Sequence, residues 1–197
     1  MRPKSWVSHL RPHKIPFRRR FARASVALIV RTTESGGKEL LFIQRARREG
    51  DPWSGDMAFP GGRLQPEDRS ARAAAERETL EETGIELNRH GRYLARLSDL
   101  ITRHHSRWRP MVVTPYVFEW QGPKAVLLNH EVERVVWVPL DYLAAGENQS
   151  QLPWPTPIGT LNMPCCRYQG ACIWGLSYSM LQELLATGIN ARSEIPQ

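Results

Sequence analysis

Long apolar runs are missing from these 197 residues. The longest early candidate, residues 24–30, has strand length, so a membrane-spanning helix is excluded. The first 24 residues contain no acidic side chain and no secretory hydrophobic region, because Arg, His and Pro interrupt every apolar stretch. Cysteine is scarce: Cys165, Cys166 and Cys172 stand close together without a Cys-x-x-Cys spacing. An odd, clustered trio excludes a disulfide framework and a zinc ribbon, and fits a reducing, cytoplasmic setting. What is present is ordinary for one globular domain, with 15 prolines and 14 glycines announcing many loops.

The net charge of +7 is uneven. Arg2, Lys4, Arg11, Lys14, Arg18, Arg19, Arg20 and Arg23 all fall in residues 1–24, so the remaining chain is near neutral. Residues 1–24 therefore read as a basic arm, residues 25–190 as the folded domain and 191–197 as a tail. An arm of this kind meets phosphates or is simply solvated; three prolines make it a poor transit helix.

Residues 25–31 and 39–45 are β-branched or apolar runs joined by Glu34-Ser35-Gly36-Gly37, which predicts a hairpin. A Gly- and Pro-punctuated loop follows over 46–60. Asp68 or Ser70 caps a predicted helix that runs to Thr83, with Gly84 as its stop. Strands are expected at 93–101, 111–120 and 132–139, a short helix after Pro139, an irregular Pro-rich stretch over 150–167 and a last amphipathic helix over 174–185. Strands with helices between and after them give an α/β class with a mixed sheet.

The chemistry concentrates on the helix over 71–85. With about 100° per residue, Glu78, Glu81 and Glu82 share one arc of the helix surface. Like charges so spaced oppose helix formation and raise one another's pKa unless a cation sits among them. An all-oxygen donor set suits Mg²⁺ or Mn²⁺ and argues against zinc. Arg77 borders the arc and can fork onto a carboxylate. Just upstream, Phe59-Pro60-Gly61-Gly62-Arg63 supplies glycines that let backbone approach a metal or phosphate.

Gly62 and Arg77-Glu78-Thr79-Leu80-Glu81-Glu82-Thr83-Gly84-Ile85 resemble the Nudix box, the signature of hydrolases acting on a nucleoside diphosphate linked to another moiety. Every fixed position of its core is matched, with Thr79 in place of the first bulky aliphatic. Gly62 lies fifteen residues before Arg77 rather than fourteen, and Asp68 or Glu67 stands for the middle acid. The longer box and the Ala58-Phe59-Pro60-Gly61-Gly62 approach are similar to the coenzyme A pyrophosphatase-like subgroup. Ala46 replaces that group's usual Ser, and the loop to Gly55 is one residue longer.

The resemblance implies an α/β/α sandwich and metal-dependent cleavage of a diphosphate, with coenzyme A or acyl-CoA giving adenosine 3′,5′-bisphosphate and (acyl-)phosphopantetheine. It places the metal on Glu78, Glu81, Glu82 and a Gly62 carbonyl. Catalytic candidates are Glu81, Glu78 and Arg77, with Glu119 or Glu131 as a base outside the box. Arg45, Arg63, Phe59, Gly61 and His104 are the expected substrate contacts. Other substrates of the class are ADP-ribose, NADH, dinucleoside polyphosphates and nucleoside triphosphates. The partner is a small-molecule nucleotide, with no membrane and no nucleic acid expected, and a homodimer is the family expectation. A reading of another class is a catalytically silent Nudix-fold module that binds nucleotide or RNA; the complete carboxylate set speaks against it.

Overall fold

The computed structural model describes residues 12–47, 49, 54–103, 110–123, 126–156 and 159–189. His104, with the basic loop around it, lies outside the described residues, as do Trp53, the start of the arm and the tail.

A mixed sheet forms the centre. The predicted hairpin is β1 (Ala22–Thr32) and β2 (Lys38–Arg45), antiparallel with Val30 opposite Leu40. The short strands β3 (Met57–Ala58) and β4 (Gly61–Arg63) pair with β2 and β1 respectively. Helix α1 (Ala71–Thr83) follows, then the single turn α2 (Leu87–His90), β5 (Gly91–Arg96), β6 (Leu100–Arg103) and β7 (Pro110–Trp120). Strand β7 runs parallel to β1 over most of its length, from Ala22 opposite Met111 to Val30 opposite Glu119. Strand β8 (Val132–Pro139) returns to the outer side of β2 and leads into α3 (Leu140–Ala144). A second, three-stranded sheet is built from β9 (Gln149–Thr156), β10 (Gly159–Tyr168) and β11 (Ala171–Trp174), and α4 (Gly175–Ala186) closes the described chain.

Side-chain alternation along β1 and β2 sorts the core into two layers. Ala27, Ile29, Leu41 and Ile43 meet Ala75 of α1 with Ile85 and Phe118. Leu28, Val30, Leu40 and Phe42 meet Leu181 and Leu184 of α4 with Ile173 of β11. The result is the α/β/α sandwich expected, with the acidic helix on one face and the second sheet and α4 on the other. No helix among the described residues is long and apolar enough to cross a membrane.

Three sequence expectations change. The strand foreseen at 93–101 is broken between β5 and β6; opposite the break lies Pro115 of β7, whose carbonyl accepts the Leu97 N–H at 3.0 Å. The stretch at 150–167 is not irregular but a long hairpin, β9 with β10. The arm does not end where the domain begins. Ala22–Ala24 are already strand, and His13, Ile15 and Arg18 are tied to Ser98 and Asp99.

Candidate functional site

Helix α1 is framed by its own sequence. The Ser70 hydroxyl accepts the Ala73 N–H at 3.1 Å, and Gly84, at φ 72°, ends the helix in the left-handed region. Thr79 and Thr83 are buried, and each hydroxyl donates to the carbonyl four residues earlier, Ala75 at 2.7 Å and Thr79 at 2.6 Å. The Thr at position 79 thus fills an aliphatic's place with its polar atom satisfied.

Arg77 is the brace of the acidic face. Its Nε and Nη2 donate to the two Asp68 oxygens at 3.0 and 3.1 Å. Its Nη1 reaches Glu78 at 2.9 Å and Glu81 at 3.1 Å, and Nη2 also donates to the Arg63 carbonyl. One guanidinium therefore joins the loop, strand β4 and two helix carboxylates. The hydrogen bond from Arg77 holds the Asp68 carboxyl below its ordinary range, against the opposing pull of burial. Of the two acids offered for the middle position, Asp68 is the one that anchors Arg77.

Glu82 is 6% exposed and accepts the Gly61 N–H at 2.9 Å. Burial pushes its pKa up to about 8; Glu78 and Glu131 add to the rise, while the Gly61 N–H and Arg45 oppose it. Burial also raises Glu78, with Arg77 pulling back and Glu81 and Asp68 adding repulsion. The loop glycines have different tasks. A Cβ on Gly61, which sits at φ 149°, would lie 2.3 Å from the Ser25 carbonyl oxygen, so this glycine lets β4 lie against β1. A Cβ on Gly62 would lie 2.4 Å from the Glu78 carboxyl carbon. Backbone and carboxylate there meet with no side chain between them.

Among the described residues no three acidic, His or Cys groups already converge as a metal cage. Glu81 is held by Arg77, and Glu82 by Gly61. The donor chemistry nonetheless fits a hard divalent cation. All donors are oxygens, Glu78 and Glu82 both have raised pKa values that a cation would reverse, and the Gly62 backbone abuts Glu78.

The outlying candidates separate. Glu131 enters the electrostatic surroundings of Glu82, carried there by the loop after β7, whose Leu127 and Asn129 N–H groups donate to the Thr83 and Glu82 carbonyls. Arg45, at the end of β2, is the cationic neighbour of Glu82. Glu119 is instead bound by Arg92 of the adjacent strand at 2.7 Å and by Gln121. Phe59 is 4% exposed and stacks on Phe42 with centroids 4.6 Å apart. It lies between β3 and β4 and packs into the core layer that also holds Leu181 and Leu184 of α4. Arg63 is exposed, and its carbonyl is the part that serves Arg77. Sequence reading missed Asn129, whose side chain accepts the Glu131 N–H at 2.8 Å; an Asn two residues before an acid in a loop is the signal.

Comparison with known proteins agrees with this geometry. A family model described as NUDIX domain matches residues 22–155. An uncharacterized protein of Schizosaccharomyces pombe is 34% identical over 148 residues, covering 66% of this chain and 45% of that protein. A probable nudix hydrolase of the same yeast is 35% identical over 121 residues, 61% of this chain and 40% of that one. The chain spans less than half the length of either. Among solved structures, a Nudix hydrolase from M. smegmatis, RenU, matches with TM-score 0.56 at 18% identity, over 88% of this chain and 87% of that one. The binary complex of a C. elegans Ap4A hydrolase matches with TM-score 0.51 at 24% identity, over 61% and 81%. At these identities the structures share the fold. The family match runs through β1, the glycine loop, the braced acidic helix and on into β9, and the chain belongs to the NUDIX domain family.

Proposed function

We propose that this chain is a metal-dependent pyrophosphohydrolase that cleaves the diphosphate linkage of a nucleoside diphosphate derivative, with coenzyme A or acyl-CoA as the favoured substrate. The observation that carries the reading is the acidic face of α1, braced by Arg77 and abutted by the Gly62 backbone. A binding module has no need of such a set. Glu78, Glu81 and Glu82 with the Gly62 carbonyl would hold Mg²⁺ or Mn²⁺, which supplies charge for the diphosphate oxygens and acidifies an attacking water.

The chain's own residues do the rest. Arg77 fixes Glu78 and Glu81 at one side of the face, so neither must be reoriented against repulsion when substrate arrives. Glu131 is the better-placed candidate to take the water's proton, since it stands near Glu82 whereas Glu119 is occupied by Arg92. Arg45 is placed to offset phosphate charge. Water adds to one phosphorus, the bridging P–O bond breaks, and coenzyme A yields adenosine 3′,5′-bisphosphate and 4′-phosphopantetheine. The coenzyme A choice rests on the Ala58-Phe59-Pro60-Gly61-Gly62 approach and the longer box.

The test is purified protein with Mg²⁺ or Mn²⁺ against coenzyme A, ADP-ribose, NADH, diadenosine polyphosphates and deoxynucleoside triphosphates, with products resolved by chromatography. Release of adenosine 3′,5′-bisphosphate that vanishes in Glu81→Gln and Glu82→Gln supports the whole reading. Faster turnover of another substrate keeps the reaction and replaces coenzyme A. No metal-dependent turnover of any would overturn the enzyme reading.

A further inference from the structure

A second polar feature lies on the opposite face of the sheet from α1. Alternation along β2 puts Gln44 on the Phe42 side, and there it lines an open cleft of about 370 Å³ between the main sheet and the β9–β11 sheet. The cleft has an apolar floor, Leu152, Ala171 and Cys172, and two guanidiniums on its walls, Arg47 and Arg134. Among the described residues, Asp56 is the carboxylate that lines it. The tight turn at Gln169 and Gly170, both at positive φ (47° and 81°), bounds it on the β10–β11 side.

The basic wall is organised rather than merely solvated. Gln44 Nε2 donates to the Gly55 carbonyl at 3.1 Å, which turns Gln44 Oε1 outward to accept Arg134 Nε at 2.6 Å. Arg134 is thereby aimed by a neutral partner rather than by a carboxylate. Arg47 has no ion pair among the described residues. Two such guanidiniums facing one cavity repel each other and favour an anion between them.

The cleft's lining is joined along the chain to the surroundings of the acidic site. Gln44 precedes Arg45, the cationic neighbour of Glu82, and Arg134 lies three residues beyond Glu131. A ligand spanning the two meets the acidic face with one part and the two arginines with another. We infer that the Arg47–Arg134 cleft binds a second phosphate of the substrate, a phosphomonoester set apart from the diphosphate that is cleaved. This rests on the diphosphate-hydrolase reading and narrows it to substrates with such a group: coenzyme A with its 3′-phosphate or NADPH with its 2′-phosphate, over 3′-dephospho-coenzyme A or NADH.

Two measurements test it, one independent of turnover. Specificity is read as the ratio of kcat/KM for coenzyme A over 3′-dephospho-coenzyme A, and for NADPH over NADH. The parent protein is expected to favour the phosphomonoester member of one pair by about tenfold to a hundredfold, chiefly through KM. In Arg47→Gln/Arg134→Gln that ratio falls towards one, and Arg134→Lys, which keeps charge but not the fork, falls between. Calorimetric titration without metal compares adenosine 3′,5′-bisphosphate and adenosine 2′,5′-bisphosphate with adenosine 5′-monophosphate. Tighter binding of one bisphosphate, lost in the double variant, sustains the cleft even if no dinucleotide is hydrolysed, and identifies which ribose phosphate it takes. Equal ratios within both pairs with equal binding of all three nucleotides, or a double variant that slows both members alike, overturns it.

Discussion

Gly61 and Gly62 are neighbours, yet a methyl group added to each meets different things. At Gly61 it would strike the Ser25 backbone at a φ that only glycine adopts comfortably. Gly61→Ala is expected to cost on the order of 3 kcal/mol or more in denaturant unfolding. At Gly62 it would strike the far end of Glu78, which can swing aside. Gly62→Ala should unfold near the parent's denaturant midpoint while losing most activity, and equal damage to both properties would contradict this assignment. Glu82 gives a pH signature in chelator. Its folded pKa of about 8 lies above the ordinary 4.5, so burial favours the protonated form. The contribution is fully present below about pH 4.5 and is lost as pH rises towards 8. The Tm of the metal-free protein should fall across that window, Glu82→Gln should flatten the fall, and adding Mg²⁺ should reverse it by binding the charged form. Arg77→Lys keeps one charge but cannot serve two carboxylates and Asp68 at once. A drop in kcat of about 10²-fold is expected from it.

Helix α1 shows how an element is held at both ends and what each end does. Ser70→Ala should cost about 1 kcal/mol in unfolding and leave kcat near the parent's, because the cap lies a full three turns from Glu82. The other end is coupled to the site. A Cβ on Gly84 would lie 2.9 Å from Leu127, in the loop that delivers Glu131, so Gly84→Ala should lower both stability and kcat. This helix was legible in the sequence because its signals are local: a capping Ser, a left-handed Gly and a periodic acidic face. The β9–β10 hairpin was not, because Pro153, Pro155 and Pro164 read as breakers. Strand β9 is an edge, where a missing N–H is tolerated, and Pro164 falls just beyond the reach of β11, which pairs only with Cys165–Tyr168. The split between β5 and β6 was hidden for a related reason: the proline responsible, Pro115, sits on a strand distant in sequence. Within the site, the contact of Arg77 with Glu81 one turn on followed from helical spacing, whereas its grip on Asp68 and the Arg63 carbonyl did not. The separation of Glu131 from Glu119 depends on how a loop crosses the helix end, which no local pattern encodes.

At the scale of the molecule, the start of the described chain is fastened to its middle. Asp99, buried, accepts the Ile15 N–H at 3.1 Å and the Thr114 hydroxyl at 2.6 Å, and pairs with Arg18 at 3.2 Å and Arg96 at 2.5 Å. Burial opposes ionisation of this carboxyl most, but Thr114, Ile15 and Arg96 together outweigh it and hold the pKa low. Its contribution is therefore present above the ordinary carboxylate range and is lost as acid takes pH through the lowered value. Asp99→Asn should reduce the steepness of acid unfolding, and Arg18→Ala should cost about 1–2 kcal/mol at neutral pH. The parallel pairing of β1 with β7 has a consequence in time. Partners such as Ala22 and Met111 are about 90 residues apart, and a parallel ladder at that separation is among the slowest to close. At roughly 5–20 residues per second, a ribosome leaves Ser25–Val30 waiting on the order of 10 s before Trp120 exists. Until then this chain carries a largely apolar strand with one long edge unpartnered, and the antiparallel turn to β2 is its earliest protection from other nascent chains.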